Sequence, residues 1–438
     1  MCLAQSAADG KRERPCARLV FPAPFPYNRA MPQQKSHTDF TAARHLDVLV
    51  LGAGPAGLFC ALTAARRGRR VTLVDASEIT ARKLRASGGG RCNCTNMDAS
   101  PAHYLSANPK FTTQALKRYT PRDFLAELGG LGLTASEEDF GRMFCDQGAT
   151  PLTDALEGAC RKAGCRFLLN RRVEAVTPAE HGFLVDTDKG PLDAPRVVLA
   201  LGSPAWPALG GTDATARLAG ALGLTHVPAR PALTPFACTG AMLTLCRELS
   251  GLSVTATLSC LGKSYTDGLL FTHQGLSGPA ALQLSSHWRK GTALTIDLAP
   301  QSDLRQLLRD PAHGRHLART VLSGLLPRRL ADALLAQLPP DLAALPERKC
   351  AELSKAQMAA LADLVHGWSV TPSGTLGMAR AEAASGGLDT AQFSPKTFEC
   401  RKLPGLFAIG EALDVAGELG GFNLHWAWAS GFAAGQAV

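Results

Sequence analysis

Two glycine-rich stretches between Asp47 and Asn96 carry the residue types and spacing that handle phosphate. In the first, Asp47-Val48-Leu49-Val50-Leu51 is a short apolar run suited to a buried parallel strand. It meets a Gly-x-Gly-x-x-Gly turn, Gly52-Ala53-Gly54-Pro55-Ala56-Gly57. Gly52 permits the tight turn, Gly54 lets the backbone approach a pyrophosphate, and Gly57 lets the following helix pack closely on the strand. The N-terminus of that helix offers free N–H groups and a partial positive charge. The second stretch, Ser87-Gly88-Gly89-Gly90-Arg91-Cys92-Asn93-Cys94-Thr95-Asn96, is a glycine loop that carries an arginine. Gly89, Gly90, Arg91, Cys92, Asn93 and Thr95 are its candidate cofactor contacts. Together the two loops suggest a dinucleotide held at both ends of its pyrophosphate, which points to FAD.

The elements around these loops agree. A helix-like segment runs through Arg67, Gly68 is placed to stop it, and Val71-Thr72-Leu73-Val74-Asp75 reads as the next buried strand. Asp75 lies 18 positions beyond Gly57 (75 − 57), where an acid accepting from the adenosine ribose is expected. A carboxylate there disfavours a 2′-phosphate, so FAD or NAD fits better than NADP. The competing reading, a glycine loop in some other α/β protein, leaves Asp75 unexplained.

Residues 166–201 read as strands and turns, and Val173 starts one of them. The last, Arg196-Val197-Val198-Leu199-Ala200-Leu201-Gly202, ends in small residues that can pass close under a ligand. Val173, Ala200 and Gly202 are therefore candidate cofactor neighbours. Near the C-terminus a strand, Leu406-Phe407-Ala408-Ile409, runs into Gly410-Glu411, and Glu411 is placed to accept from ribityl hydroxyls. The turn Gly420-Gly421 leads into a helix through Phe422, Asn423 and Leu424, whose N-terminus would stabilise negative charge on a reduced flavin. An ordinary C-terminal helix after a glycine turn is the plainer alternative.

Between these parts the texture changes after Arg230-Pro231. Short alternating segments suggest an antiparallel β unit over residues 231–300, and leucines at helical spacing suggest a helical unit over 301–368. The cofactor domain is then discontinuous, 46–230 and 369–438, within an α/β fold. Residues 1–45 are Pro-rich and basic and are expected to be disordered, with Met31 as a candidate true start. They hold seven Lys or Arg against three Asp or Glu, +4 of the net +9 set by 46 basic and 37 acidic residues. The remainder is only mildly basic, which permits nucleic-acid contact without arguing for it. Neither a secretory signal nor a membrane-spanning run is expected, so the reading is cytoplasmic. Thirteen cysteines without a C-x-x-C pair read as reduced thiols packed as small hydrophobes, and no spacing suggests a metal site.

The conjunction of Gly52, Gly54 and Gly57, of Lys83 with the Ser87 loop, of Leu269-Leu270-Phe271-Thr272-His273-Gln274-Gly275-Leu276-Ser277-Gly278-Pro279, and of residues 405–431 resembles the BaiN/YhiN-like FAD-dependent oxidoreductases. These are also described as NAD(P)/FAD-dependent oxidoreductases or aminoacetone-oxidase-family flavoproteins. The resemblance implies a Rossmann-type FAD domain with a barrel-like β insert and a small helical insert, and adds Lys83 to the candidate cofactor contacts. Three positions depart from the family's pattern. His425 stands where Gln is common, Cys94 where an aliphatic residue is common, and Leu388 follows Gly386-Gly387 in place of Val.

The function expected is hydride transfer from NAD(P)H, acting as a transient reductant, to a small organic acceptor. A C=C bond conjugated to a carbonyl is one acceptor, as the family's bile-acid member implies. No second strand–Gly-x-Gly-x-x-Gly–helix unit follows, so a nicotinamide would bind at the flavin face. An amine oxidase using oxygen is the alternative enzyme. A protein acting on RNA is the alternative class, disfavoured by the lack of an aromatic-plus-basic platform. His273, in a glycine-rich turn, and His425, beside the helix start, are candidate proton donors, each weighed against a structural role.

Overall fold

The computed structural model describes residues 46–438, so the expectations for residues 1–45 and Met31 lie outside the described residues. A five-stranded parallel sheet forms the base. Its order is Leu406–Ala408, Arg196–Leu199, Val48–Leu51, Val71–Val74 and Arg166–Leu168. The three central strands are buried almost throughout, Val48–Leu51 and Val71–Val74 at every residue, with the helix Pro55–Arg66 and the antiparallel strands Gly182–Thr187 and Leu192–Ala194 packed against them. The strand at Leu406–Ala408 returns from the far end of the chain to lie beside Arg196–Leu199, which makes this unit discontinuous.

The C-terminal helix, Phe422–Gly435, is predominantly apolar and almost wholly buried. It lies against the first helix, Pro55–Arg66, at backbone contact distance. A Cβ added to Gly431 would stand 2.7 Å from the Ala56 carbonyl oxygen, and one added to Gly435 would stand 2.6 Å from Thr63 Cβ. Hydrogen from glycine is all that fits between the two backbones. The indoles of Trp426 and Trp428 fill the remaining volume, Trp428 stacking on Phe124 at 4.9 Å.

The second unit is a seven-stranded antiparallel sheet. Its order is Trp368–Val370, Leu294–Asp297, Ser253–Cys260, Lys263–Thr272, Gly275–Ser277, Phe236–Ala237 and Gly374–Thr375. It therefore reaches past both boundaries expected at 300 and 369. The helices between, including Leu304–Arg309, Ala318–Leu325, Arg328–Leu335 and Lys355–His366, form an excursion from this sheet and share one apolar core with it. Two-residue and three-residue strands leave too little alternation to be read ahead of the structure. The chain enters and leaves this unit through a two-stranded antiparallel ribbon, His226–Ala232 with Ala383–Leu388. Among the described residues no helix is long and apolar enough to cross a membrane. All eleven cysteines among them are buried and none is disulfide-bonded.

The helix–helix contact sets a stability test. Gly431→Ala must push apart two backbones, which costs about 1–3 kcal/mol, read as a lower urea midpoint. Gly220→Ala, in the helix Ala214–Ala221 where an added Cβ meets nothing within 4 Å, is the control. It should be neutral or stabilise by up to about 1 kcal/mol.

Candidate functional site

At the first glycine turn the Asp75 carboxylate holds the loop in place. Its Oδ2 accepts from the Ala53 N–H at 2.7 Å and its Oδ1 from the Ser77 N–H at 2.8 Å. Each oxygen keeps a lone pair that could take a ribose hydroxyl. A Cβ at Gly57 would fall 2.0 Å from the Gly52 carbonyl oxygen, so the turn closes only on glycine. A Cβ at Gly54 meets nothing within 4 Å, and no side chain caps the Pro55–Arg66 helix. Its first N–H groups are thus left without a side-chain cap at the C-terminal edge of the parallel strands, where such sheets bind dinucleotides. The Arg171 N–H donates to the Asp75 carbonyl at 2.8 Å, which brings the strand of Val173 alongside. Val173 itself is buried.

A polar cluster stands on the other side of this crevice. Lys83 Nζ and Glu411 Oε2 form an ion pair at 2.9 Å, and Ser203 Oγ donates to the same oxygen at 3.2 Å. Gly202 packs against that carboxylate, and the Ala200 carbonyl oxygen would meet a Cβ at Gly52 at 2.3 Å. Gly410 sits against Ala56, held by Ser430 Oγ at its N–H and by the Trp426 indole N–H at its carbonyl. Lys83, Ala200, Gly202, Gly410 and Glu411 are therefore brought together with the first glycine turn, although 328 positions separate Lys83 from Glu411.

The second glycine loop is locked to the start of the C-terminal helix. Gly88, Gly89 and Gly90 have φ of +56°, +66° and +91°, left-handed in succession. A Cβ at Gly421 would lie 2.3 Å from the Thr95 carbonyl oxygen and 2.7 Å from the Asn93 side chain. Asn96 Nδ2 donates to the Gly420 carbonyl at 2.8 Å, and Asn423 clamps Gly417 through both its N–H and its carbonyl at 2.8 Å each. No side chain caps this helix either, and Phe422 and Leu424 pack at its first turn. Its free N–H groups could face the negative edge of a reduced flavin.

Several expected contacts are placed otherwise. Arg91 pairs with Glu138, and its guanidinium lies over the Phe144 ring at 4.3 Å. Cys92 is buried, and burial pushes its thiol up to about 12. Burial raises the Cys94 thiol further, and its Sγ donates to the Met143 carbonyl at 3.3 Å. Both are packing groups rather than nucleophiles. Thr95 turns its hydroxyl into the core to bond His425.

His425 is a correction to the expected proton donor. It is fully buried, with Nδ1 2.9 Å from Thr95 Oγ1 and Nε2 3.2 Å from the Tyr119 carbonyl. A carbonyl can only accept, so Nε2 carries the hydrogen and Nδ1 accepts from the threonine. Both nitrogens are occupied by protein groups. His273 is exposed at the turn after the Lys263–Thr272 strand. It lies six residues, about 20 Å along an extended strand, beyond Asp267.

That other end of the strand holds polar groups that no spacing announced. Asp267 Oδ2 lies 3.6 Å from Arg142 Nη1, and an added Cβ at Gly420 would be 3.3 Å from the Arg142 side chain. The Tyr265 hydroxyl donates to Glu418 Oε1 at 2.7 Å and lies 2.9 Å from His287 Nε2. Glu418 Oε2 is 2.7 Å from His103 Nδ1, and the His103 ring stacks on Phe422 at 4.5 Å. Four residues spread from 103 to 418 meet beside the start of the C-terminal helix.

Two measurements test these placements. Asp75→Ala removes a carboxylate that bonds the turn, worth about 1.5–3 kcal/mol, so FAD affinity of the apoprotein should fall about 10- to 100-fold by flavin fluorescence titration. Burial lowers the His425 pKa from 6.5 to about 4. The folded state therefore binds fewer protons than the unfolded, and this stability is complete above pH 6.5 and lost progressively toward pH 4. The total is on the order of 3 kcal/mol, and His425→Gln should flatten the urea midpoint across that window.

The residues fit FAD: two uncapped helix starts, an open glycine cradle and a carboxylate at each end of the crevice. Three relatives match almost end to end. The chain is 36% identical over 405 residues to the ribosomal RNA dihydrouridine synthase of Haemophilus influenzae, covering 90% of this chain and 99% of that protein. It is 38% identical to the protein of that name from Escherichia coli, covering 89% and 97%. It is 32% identical to the 3-dehydro-bile acid delta(4,6)-reductase of Clostridium scindens, covering 89% and 98%. With the HI0933-like protein Rossmann domain matched across residues 46–437, the chain belongs to the HI0933-like family and is an FAD-dependent oxidoreductase.

Proposed function

We propose that this protein reduces a C=C bond conjugated to a carbonyl, drawing its electrons from a nicotinamide dinucleotide. One observation carries the reading. Relatives named for two unlike substrates act on the same kind of bond, since dihydrouridine differs from uridine by saturation of the C=C bond beside a ring carbonyl, and a bile-acid delta(4,6)-reductase saturates an unsaturated steroid. FAD, when bound, supplies the two-electron transfer that such a reduction needs. The chain's own part is to hold that group and seat the acceptor. Asp75 and the uncapped helix start at Pro55 suit the adenosine and pyrophosphate, and Lys83 with Glu411 suits the ribityl chain. The uncapped helix start at Phe422 favours negative charge at the reacting end.

A uracil base in RNA is the acceptor we favour, because the two RNA-modifying relatives are the more similar and match nearly whole chain to whole chain. Composition alone disfavours RNA, since the sequence shows no aromatic-plus-basic platform. An enzyme that reads an unpaired base in a crevice needs no such platform on its surface. A small unsaturated carbonyl compound is the second acceptor class, favoured by the steroid-reducing relative.

The test is anaerobic. Holoenzyme should bleach on addition of NADH or NADPH and recover its absorbance when unmodified ribosomal RNA transcript is added, with uridine gaining two hydrogens by mass spectrometry. The RNA response should weaken steeply with salt. Recovery with a 4-en-3-one steroid but not with RNA would select the small-molecule class. Recovery with neither would overturn the proposed reaction.

A further inference from the structure

Saturating a conjugated C=C bond takes a hydride at the β carbon and a proton at the α carbon. The proton must come from the chain or from water. Resting on the reaction proposed above, we infer that Tyr265 of the antiparallel unit is the acid that supplies it, with His287 as the residue that returns a proton to the phenol. The inference rests on geometry. Tyr265 projects from the Lys263–Thr272 strand and bonds Glu418, three positions before Gly421, so its hydroxyl stands beside the loop that opens the C-terminal helix. Asp267, two positions on and on the same strand face, meets Arg142 of the strand paired with the second glycine loop. These two contacts lay one end of the strand against the loops at the start of the C-terminal helix.

The direction of each hydrogen follows from donor counting. An ionised Glu418 only accepts, so it takes the single phenolic hydrogen at 2.7 Å, and His287 Nε2 then donates its own hydrogen to the phenol oxygen at 2.9 Å. Burial and the Lys263 ammonium lower the His287 pKa, so the imidazole is neutral at neutral pH. Burial and the Glu418 carboxylate raise the Tyr265 pKa, so the phenol keeps its proton until a carbanion demands it. The groups facing the network are Lys263, Glu418 and His103, with the Arg142–Asp267 pair beside it.

The step balances. The C=C π bond breaks as a hydride carrying the electron pair of the nicotinamide donor bonds the β carbon. The Tyr265 O–H turns from Glu418 to the acceptor and breaks as its proton bonds the α carbon. The phenolate takes the Nε2 hydrogen of His287 while Nδ1 takes a proton from the solvent, the one proton the reduction consumes, so the imidazole changes tautomer without net charge. Glu418, fixed by His103 at 2.7 Å, orients the phenol and is a positioning residue.

The experiment compares wild-type holoenzyme with Tyr265→Phe, which keeps the ring and loses only the hydroxyl. Bleaching by NADPH should be unchanged within about twofold, whereas recovery with RNA transcript or 4-en-3-one steroid should slow by at least about 100-fold. A second readout uses apoprotein and no acceptor: the His287 ring resonances, followed by NMR against pH, should shift in Tyr265→Phe. If wild type recovers with neither acceptor, the reaction has failed, and an unmoved His287 titration would then overturn the relay on its own. If wild type recovers and Tyr265→Phe recovers equally fast, Tyr265 is not the acid.

Discussion

Backbone approach without side chains is the constraint on which this molecule turns. At Gly421 the start of the C-terminal helix touches the Thr95 carbonyl, and at Gly431 and Gly435 the same helix touches Ala56, Cys60 and Thr63 of the first helix. One helix thereby fixes both glycine loops. A side chain at any of the three positions would force backbone, not a flexible side chain, to move. The burial of Trp426 and Trp428 rewards the close fit, since large rings contribute only where the gap they fill is closed on every side. The Trp428 indole N–H also donates to the Cys94 carbonyl at 2.8 Å, so the helix that packs the core also holds the second loop.

The antiparallel unit is joined to this frame more lightly. A two-stranded ribbon carries the chain out and back, and contacts such as Arg142–Asp267 and Tyr265–Glu418 hold one end of the Lys263–Thr272 strand against the loops. These contacts are polar and half-buried, hence sensitive to geometry and worth far less than the helix–helix interface. The frame is built to hold a cofactor in one place.

Legibility followed the range of each interaction. Gly52, Gly54, Gly57 and Asp75 could be read because strand, turn, helix and strand succeed one another, and the Ala53–Asp75 bond spans only 22 positions. Runs such as Val48-Leu49-Val50-Leu51 announce a covered parallel strand by having no polar face. The Tyr265–Glu418 bond spans 153 positions and leaves no local trace. His425 was read by its place beside a helix start, whereas its environment is set by Thr95 and Tyr119, 330 and 306 positions away. Arg91 stood next to glycines and so suggested phosphate, while the strand Ala135–Glu138, weak in alternation, supplies the carboxylate that takes it. The nested helical segment was separated from its sheet because Trp368–Val370 and Gly374–Thr375 are too short to show a period.

The proposed reaction implies a division of labour between the units that would accommodate unlike acceptors. Every group that suits the cofactor lies on the parallel-sheet unit, and the glycine contacts there admit almost no variation. On that reaction the wall that an acceptor would meet comes from the other unit, where Tyr265 and Asp267 reach the frame. Tyr265 and Asp267 occupy that wall at alternate positions of one strand, anchored by partners in the frame. A ring base and a steroid need different shapes at this wall but the same proton beside the same bond. The acid is therefore expected at the end of the strand nearest the frame, where the loops set its position, whereas further along the same face Leu269 and Phe271 are buried in the unit's own core.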